Sequence, residues 1–350
     1  TAQSAYLFKN LKARQQATAA AVAVLVSNMV GVTMAFAGFA YWALATQNLI
    51  YVAVNIGIQW HYSPWRPTLH GITFAPVRRM FRFSCKVLAT TIVNHVNNNV
   101  LNILLGHYFT PRDTGNFNQA YQWNMKSYSL VQSMILQVAQ PVLVGLDDDA
   151  DRQLRVFRKM VRFTSFVTFP LLFGFALVSR EFIVIALTEK WLASASLLQL
   201  LCISGAVMPL CALFNNMVVS KGRSDILLWC TFSLGLLLTL MMLVIWPWGI
   251  HVMVVAFVVI NVSWLFVWLY FVRRLTGYGY LMFARDVLPF AIAAVAVMSL
   301  TYFATQSIQN LWILLLSRIA IAATAYYAVM RVAHVAILDE CIDFIRGKMK

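Results

Sequence analysis

Hydrogen-bonding side chains crowd into two stretches of an otherwise apolar sequence. The first holds Asn94, His95, Asn97, Asn98, Asn99 and Asn102. At helical spacing Asn94, Asn98 and Asn102 form one stripe, and His95, Asn99 and Asn102 form its neighbour. The second stretch carries Asn118, Gln119, Tyr121, Gln122, Asn124, Lys126, Ser127, Gln132, Gln137 and Gln140. Amide side chains both donate and accept, which suits sugar hydroxyls or a lining of ordered water. Lys126 adds a point charge for an anionic group such as phosphate, and Arg112 adds a second cation just ahead of the stretch. His95, an imidazole inside a polar stripe, is a candidate proton relay. A competing reading is that Asn and Gln hydrogen-bond between helices and act as glue. That reading stays equally open for Asn28, Gln47, Asn48, Asn55, Asn215 and Asn216, which are more thinly spread.

Catalytic signatures are missing. The twelve acids lie near charge clusters rather than in the middle of apolar runs, and no HExxH, Walker A, GxSxG or paired-carboxylate motif occurs. Asp147, Asp148, Asp149 and Asp151 lack the Gly and Glu of a calcium loop and read as the start of a solvated helix, with acids at its positive end. Cys85, Cys202, Cys211, Cys230 and Cys341 form no CxxC pair, so neither a disulfide framework nor a zinc site is expected. No cofactor is called for, and transport fits better than catalysis. A membrane glycosyltransferase or polymerase would have to rely on Asp113, Glu181 or Glu189.

The elements that hold these residues follow from composition. The chain is 61% hydrophobic and only 11% charged, against roughly 25% charged in a soluble domain. Residues 15–65 and 226–272 carry no Asp, Glu, Lys or Arg. Crossing a bilayer takes about 20 apolar residues, so each run must hold two crossings. The expected fold is an all-α, polytopic transmembrane bundle of about ten spans, at 16–38, 40–59, 84–106, 118–144, 161–180, 194–219, 226–246, 250–272, 287–306 and 311–331. A soluble domain, a secreted disulfide scaffold and a nucleic-acid binder are excluded.

The net charge of +15 then has a topological explanation. With the N-terminus inside, 22 of the 27 Lys and Arg fall on one side of the membrane, which predicts two cytoplasmic ends and contact with anionic lipid. The loop 60–83, mixing Pro, Trp and Arg, suits a segment lying along the membrane surface.

Within this topology the loop residues resemble the Wzx-type polysaccharide flippases of the multidrug/oligosaccharidyl-lipid/polysaccharide superfamily, most of all the colanic acid exporter branch. The resemblance runs in the family's order over residues 38–250. It starts at Gly38-Phe39-Ala40-Tyr41-Trp42-Ala43-Leu44 and Trp65-Arg66-Pro67, then takes in Asn102-Ile103-Leu104-Leu105-Gly106 and Gly115-Asn116-Phe117. Gln140-Pro141, Phe169-Pro170-Leu171, Lys190-Trp191, Gly222-Arg223-Ser224-Asp225 and Pro247-Trp248-Gly249 follow. It implies a partial version of a two-lobed fold, with the family's first four helices expected to lie ahead of this chain. Residues 1–83 would end the first lobe and include a cytoplasmic linker, 84–274 would form the second lobe, and 275–350 would add two helices and a tail.

The implied activity is translocation of an undecaprenyl-diphosphate-linked oligosaccharide across a bacterial inner membrane, without enzymatic chemistry. A polysaccharide polymerase and other assembly proteins are the implied partners. On this reading Asn94, Asn98, Asn102, Gln122 and Asn124 contact sugar or water, while Lys126 and Arg112 attract the diphosphate. Two departures stand out: Leu101 replaces an acid found in many relatives, and Thr188-Glu189 stands where relatives have Gly. A small-molecule exporter of the same superfamily is the alternative within transport.

Overall fold

The structure, a computed structural model, describes residues 2–9, 12–64, 66, 81, 88, 92, 103–146, 149–333, 337, 338 and 340. The polar stripe Asn94, His95, Asn98 and Asn102 lies outside the described residues, as do Leu101, Cys85 and Cys341. Among the described residues the secondary structure is entirely helical. Seven helices are long and apolar enough to cross a membrane, which makes this a multi-pass membrane protein. Two further predicted spans, 40–59 and 118–144, fold as helices but carry more polar residues, and most of the span at 84–106 lies outside the described residues.

The chain forms two compact units, Thr1–Arg82 and Phe83–Lys350. The first contains α1 (Ala2–Lys9), α2 (Ala13–Phe36) and α3 (Ala40–Tyr62). Helices α2 and α3 pack closely along one another. Gly38, at φ +87°, makes the turn between them in a backbone region that favours glycine. The pair is closely packed at Gly31, where an added Cβ would sit 3.2 Å from the Gln47 side chain. Gln47 Nε2 donates to Asn28 Oδ1 at 2.6 Å, so these two amides take the role of glue.

The second unit contains α4 (Pro111–Gly145), α5 (Ala150–Leu187), α6 (Leu192–Ser220), α7 (Ser224–Ile245), α8 (Ile250–Thr276), α9 (Tyr280–Ala304) and α10 (Leu311–Val332). Helix α6 is its core. Small residues such as Ser194, Ser204, Gly205 and Ala206 are buried on it and let α4, α5 and α8 pack against it. Helices α9 and α10 dock on α5.

Helix α5 begins earlier than its apolar run. Asp149 caps it by accepting from the Arg152 N–H at 2.9 Å, as the acidic start predicts. Its 38 residues reach about 57 Å. Pro170 inside α5 has no N–H for the Phe166 carbonyl four residues back. Tyr326 of α10 fills that place, donating its hydroxyl to Phe166 O at 3.1 Å.

Two buried charge clusters join α5 to α9 and α10. Asp286 of α9, 2% exposed, accepts from Arg158 Nε at 2.8 Å and from Arg158 Nη2 at 3.0 Å. Arg162 Nε lies 3.2 Å from the same carboxylate but without hydrogen-bond alignment, so its contribution is coulombic. Tyr278, in the turn between α8 and α9, donates to Asp286 at 3.3 Å. Burial, and then the Asp286 charge, push the Tyr278 hydroxyl above its ordinary pKa, so it remains a donor.

Toward the other end of α5, Arg318 Nη1 of α10 lies 2.9 Å from Glu181 Oε1, with both side chains under a tenth exposed. Arg318 also donates to the Leu177 carbonyl at 3.1 Å and to Thr305 Oγ1 at 3.2 Å. Glu181 is therefore a structural counter-ion within a helix, and Arg318 is the cation it holds. Removing one member of a buried pair strands the other charge at a cost of about 3–5 kcal/mol, whereas replacing both with apolar residues is close to neutral. Accordingly, Glu181→Leu and Arg318→Met should each lower the thermal unfolding midpoint of the detergent-solubilised protein. The double variant should regain most of the loss.

Candidate functional site: the two faces of α4

Helix α4 starts from Thr110. The Asp113 N–H donates to Thr110 Oγ1 at 3.2 Å, and that hydroxyl donates back to Asp113 Oδ2 at 2.7 Å, a reciprocal cap. This contact, with the Glu181 ion pair, occupies two of the three acids on which a catalytic reading would rest.

A step of 100° per residue gives the helix two distinct faces. Arg112, Gln122, Lys126, Ser129 and Ser133 fall within one sector of about 100°, and all are exposed, with exposed Leu130 and Met134 along its edge. Lys126 Nζ rests 4.6 Å from the centroid of the Trp123 ring, a cation–π contact. Trp123 is held in turn edge-on by Phe182, with centroids 4.8 Å apart. Among the described residues Lys126 has no ion-pair partner.

The opposite face is buried. Asn116 Oδ1 accepts from Ser194 of α6 at 3.0 Å. Asn124, 2% exposed, faces α6 at Gly205, and a Cβ on that glycine would sit only 2.2 Å from Asn124 Oδ1. Glycine here makes room for an amide rather than for backbone torsion. Asn124 also lines a cavity of about 390 Å³ bounded by α4, α6, α7 and α8.

The structure thus divides the predicted residues. Asn124 and Gln132 line the cavity, while Gln122, Lys126 and Arg112 lie on the outward face. Asn94, His95, Asn98 and Asn102 are outside the described residues. Three cavity residues on α8, Asn261, Trp264 and Trp268, did not stand out in the sequence. Their i, i+3, i+7 spacing within an apolar run was the available signal. Asn215, thinly placed in the sequence, joins the same lining.

A helical bundle in which α4 turns neutral amides inward and cations outward has the fold of a known class of membrane protein. A solved structure of that class, the lipid II flippase MurJ in an inward closed conformation, matches over 91% of this chain and 68% of its own, with a TM-score of 0.69 at 14% identity.

The sequence identifies the family. Residues 1–196 match the polysaccharide biosynthesis protein family, and the chain belongs to it, which bears out the Wzx-type resemblance. The lipopolysaccharide biosynthesis protein WzxC of Escherichia coli (strain K12) is 26% identical over 204 residues, 57% of this chain and 41% of that protein. The teichuronic acid biosynthesis protein TuaB of Bacillus subtilis (strain 168) is 29% identical over 150 residues, 43% of this chain and 31% of that one. A membrane protein from the cps region of Klebsiella pneumoniae is 22% identical over 171 residues, 49% of this chain and 34% of its own length. The matched stretch spans less than half the length of each of these relatives.

The contact at Gly205 gives a direct check on the buried face. Gly205→Ala should destabilise the protein by about 1–3 kcal/mol through overpacking. Combining it with Asn124→Ala, which removes the colliding atom, should cost less than the sum of the two single changes in thermal unfolding. Strict additivity would place Asn124 elsewhere.

Proposed function

We propose that this chain forms part of a flippase that carries an undecaprenyl-diphosphate-linked oligosaccharide across the bacterial inner membrane, for exopolysaccharide or O-antigen synthesis. The observation that carries the reading is the outward face of α4. The exposed faces of α7 to α10 present residues such as Trp229, Leu240, Val259, Leu300 and Ile313, which suit lipid. That of α4 presents Arg112, Gln122, Lys126, Ser129 and Ser133 over more than two turns inside a predicted span, with the apolar Leu130 and Met134 exposed along one edge. A lysine in hydrocarbon costs about 2.5–3.5 kcal/mol even on insertion scales, so the polar strip around Lys126 belongs against water.

A sugar diphosphate meets the converse problem. Crossing lipid unaided would strip water from its charges and hydroxyls at a cost of many kcal/mol. A wet face with cations and neutral hydrogen-bonding groups replaces that water step by step. Lys126 and Arg112 attract the diphosphate, and Gln122 exchanges hydrogen bonds with sugar or water. Alternating access would open this path to one leaflet and then the other. Family membership, together with relatives named for lipopolysaccharide and teichuronic acid biosynthesis, supports the substrate class. The positive-inside distribution supports cytoplasmic ends, and a polymerase and other assembly proteins would receive the product.

Complementation of a flippase-deficient host, with membrane levels matched, tests the cation's role. Export should fall about tenfold or more with Lys126→Ala, as expected for a lost charge-assisted contact, and be largely kept with Lys126→Arg. Unchanged export in Lys126→Ala would remove the proposed anion contact. For orientation, a membrane-impermeant maleimide should label Gln309→Cys on intact cells, and Lys221→Cys only after permeabilisation.

A further inference from the structure

We infer that Arg162 and Arg285, near the first turns of α5 and α9, hold the phosphate of an anionic phospholipid. The inference does not depend on what the protein transports. It starts from the charges around Asp286. Arg158 and Arg162 both contact that carboxylate and Arg285 is its neighbour in the chain, so three guanidinium groups share one acid. Arg158 is committed, since its Nε and Nη2 both donate to Asp286. Arg162 is held by the same carboxylate at 3.2 Å but without hydrogen-bond alignment. Its side chain is 42% exposed, and among the described residues it makes no hydrogen bond. Arg285 is exposed and has neither an ion pair nor a hydrogen bond among the described residues. Other cations at this end of the bundle are engaged. Lys159 pairs with Glu340 at 2.7 Å, and Arg273 and Arg274 rest on the rings of Tyr280 and Tyr270. Arg162 and Arg285 thus keep their donors unspent beside a surplus of positive charge.

The surroundings select a lipid as the source of the anion. A guanidinium fork matches the oxygens of a phosphate. Arg162 and Arg285 are also the last cations before two uncharged stretches, 163–179 along α5 and 287–317 from α9 into α10, which places them where hydrocarbon gives way to headgroups. Leu288 and Ile292 follow Arg285 at i+3 and i+7, on one face of α9, and both are exposed, as is Phe163 beside Arg162. A phosphate at Arg285 therefore leaves acyl chains lying along an aliphatic stripe that runs about 10 Å deeper. A soluble anion would make no use of that stripe. A headgroup carrying its own ammonium would bring like charge to a site that already has an excess, so the favoured lipid has net negative charge. Basic pockets between helix ends on the cytoplasmic side are suited to such headgroups, and the positive-inside distribution supports that side for these first turns.

Thermal unfolding of the full chain in non-ionic detergent, titrated with phosphatidylglycerol, phosphatidylcholine or inorganic phosphate, tests this directly. Phosphatidylglycerol should raise the midpoint saturably, and the other two should have little effect at equal concentration. Arg285→Gln and Arg162→Gln should each weaken phosphatidylglycerol binding about tenfold, the loss of one charge-assisted hydrogen bond. Arg152→Gln lies about 15 Å from Arg162 along α5, beyond the screening length of about 8 Å, and should leave binding unchanged. Arg285→Gln breaks no ion pair among the described residues, so it reports on the site even where Arg162→Gln loosens the Asp286 cluster. Equal responses to the two lipids, or unchanged binding in Arg285→Gln, overturn the inference and leave only diffuse attraction between basic loops and an anionic membrane. A response to inorganic phosphate that equals the lipid's and requires Arg285 overturns the lipid assignment in favour of a soluble anion.

Discussion

Hydrocarbon offers no partner to a polar group, so every charge buried in a membrane bundle must find one inside the protein. The second unit meets that demand at two places on α5. Arg158 and Arg162 enclose Asp286 near one end, and Glu181 meets Arg318 toward the other. Arg158 and Glu181 are separated along the helix by about 35 Å, close to the thickness of a hydrocarbon core of about 30 Å. The apolar packing of α9 and α10 against α5 lies between these clusters. Each cluster also fixes register, since a slip of one residue would rotate the charge off its partner by 100°. Tyr326 adds a neutral fastening where Pro170 frees a carbonyl.

With α9 and α10 attached on one side of α5, the other helices surround α6 and can be polar where α5 cannot. Helix α4 shows how this is arranged. Its cations are confined to the outward face and its buried face keeps only uncharged amides, of which Asn116 is satisfied by Ser194 and Asn124 opens to the cavity. The separation has an electrostatic logic: a lysine turned inward would lack a counter-charge, whereas an asparagine turned inward needs only neutral partners.

The helical architecture was legible in the sequence because apolar runs ended by charges report crossings directly. Helix ends were less legible. Hydropathy shows where lipid is, not where a helix stops, so α5 was expected at 161–180 but extends over Ala150–Leu187. The pairing of Glu181 with Arg318 was invisible because the two lie far apart in the chain and only the packing of α10 on α5 brings them together. Gln122, Asn124 and Lys126 look like one group when read along a span, yet two residues of separation turn Asn124 by 200° onto the opposite face. Trp264 and Trp268 merged with the apolar background, since aromatic residues in such runs are mostly core. Asn94, His95, Asn98 and Asn102, the densest polar stripe, lie outside the described residues.

Helix α5 is about 57 Å long, nearly twice the thickness of the hydrocarbon it crosses. Its capped, arginine-rich first turns extend as a rigid arm beyond the apolar segment. Pro170 lies near the middle of this helix, so the half ahead of it is a lever about 28 Å long, and a tilt of about 10° there sweeps its far end through roughly 5 Å. A rearrangement inside the bilayer too slight to detect among packed side chains would therefore register at Arg152 and Arg155 as a displacement larger than an ion pair is long. The arm makes the state of the bundle readable from the aqueous phase.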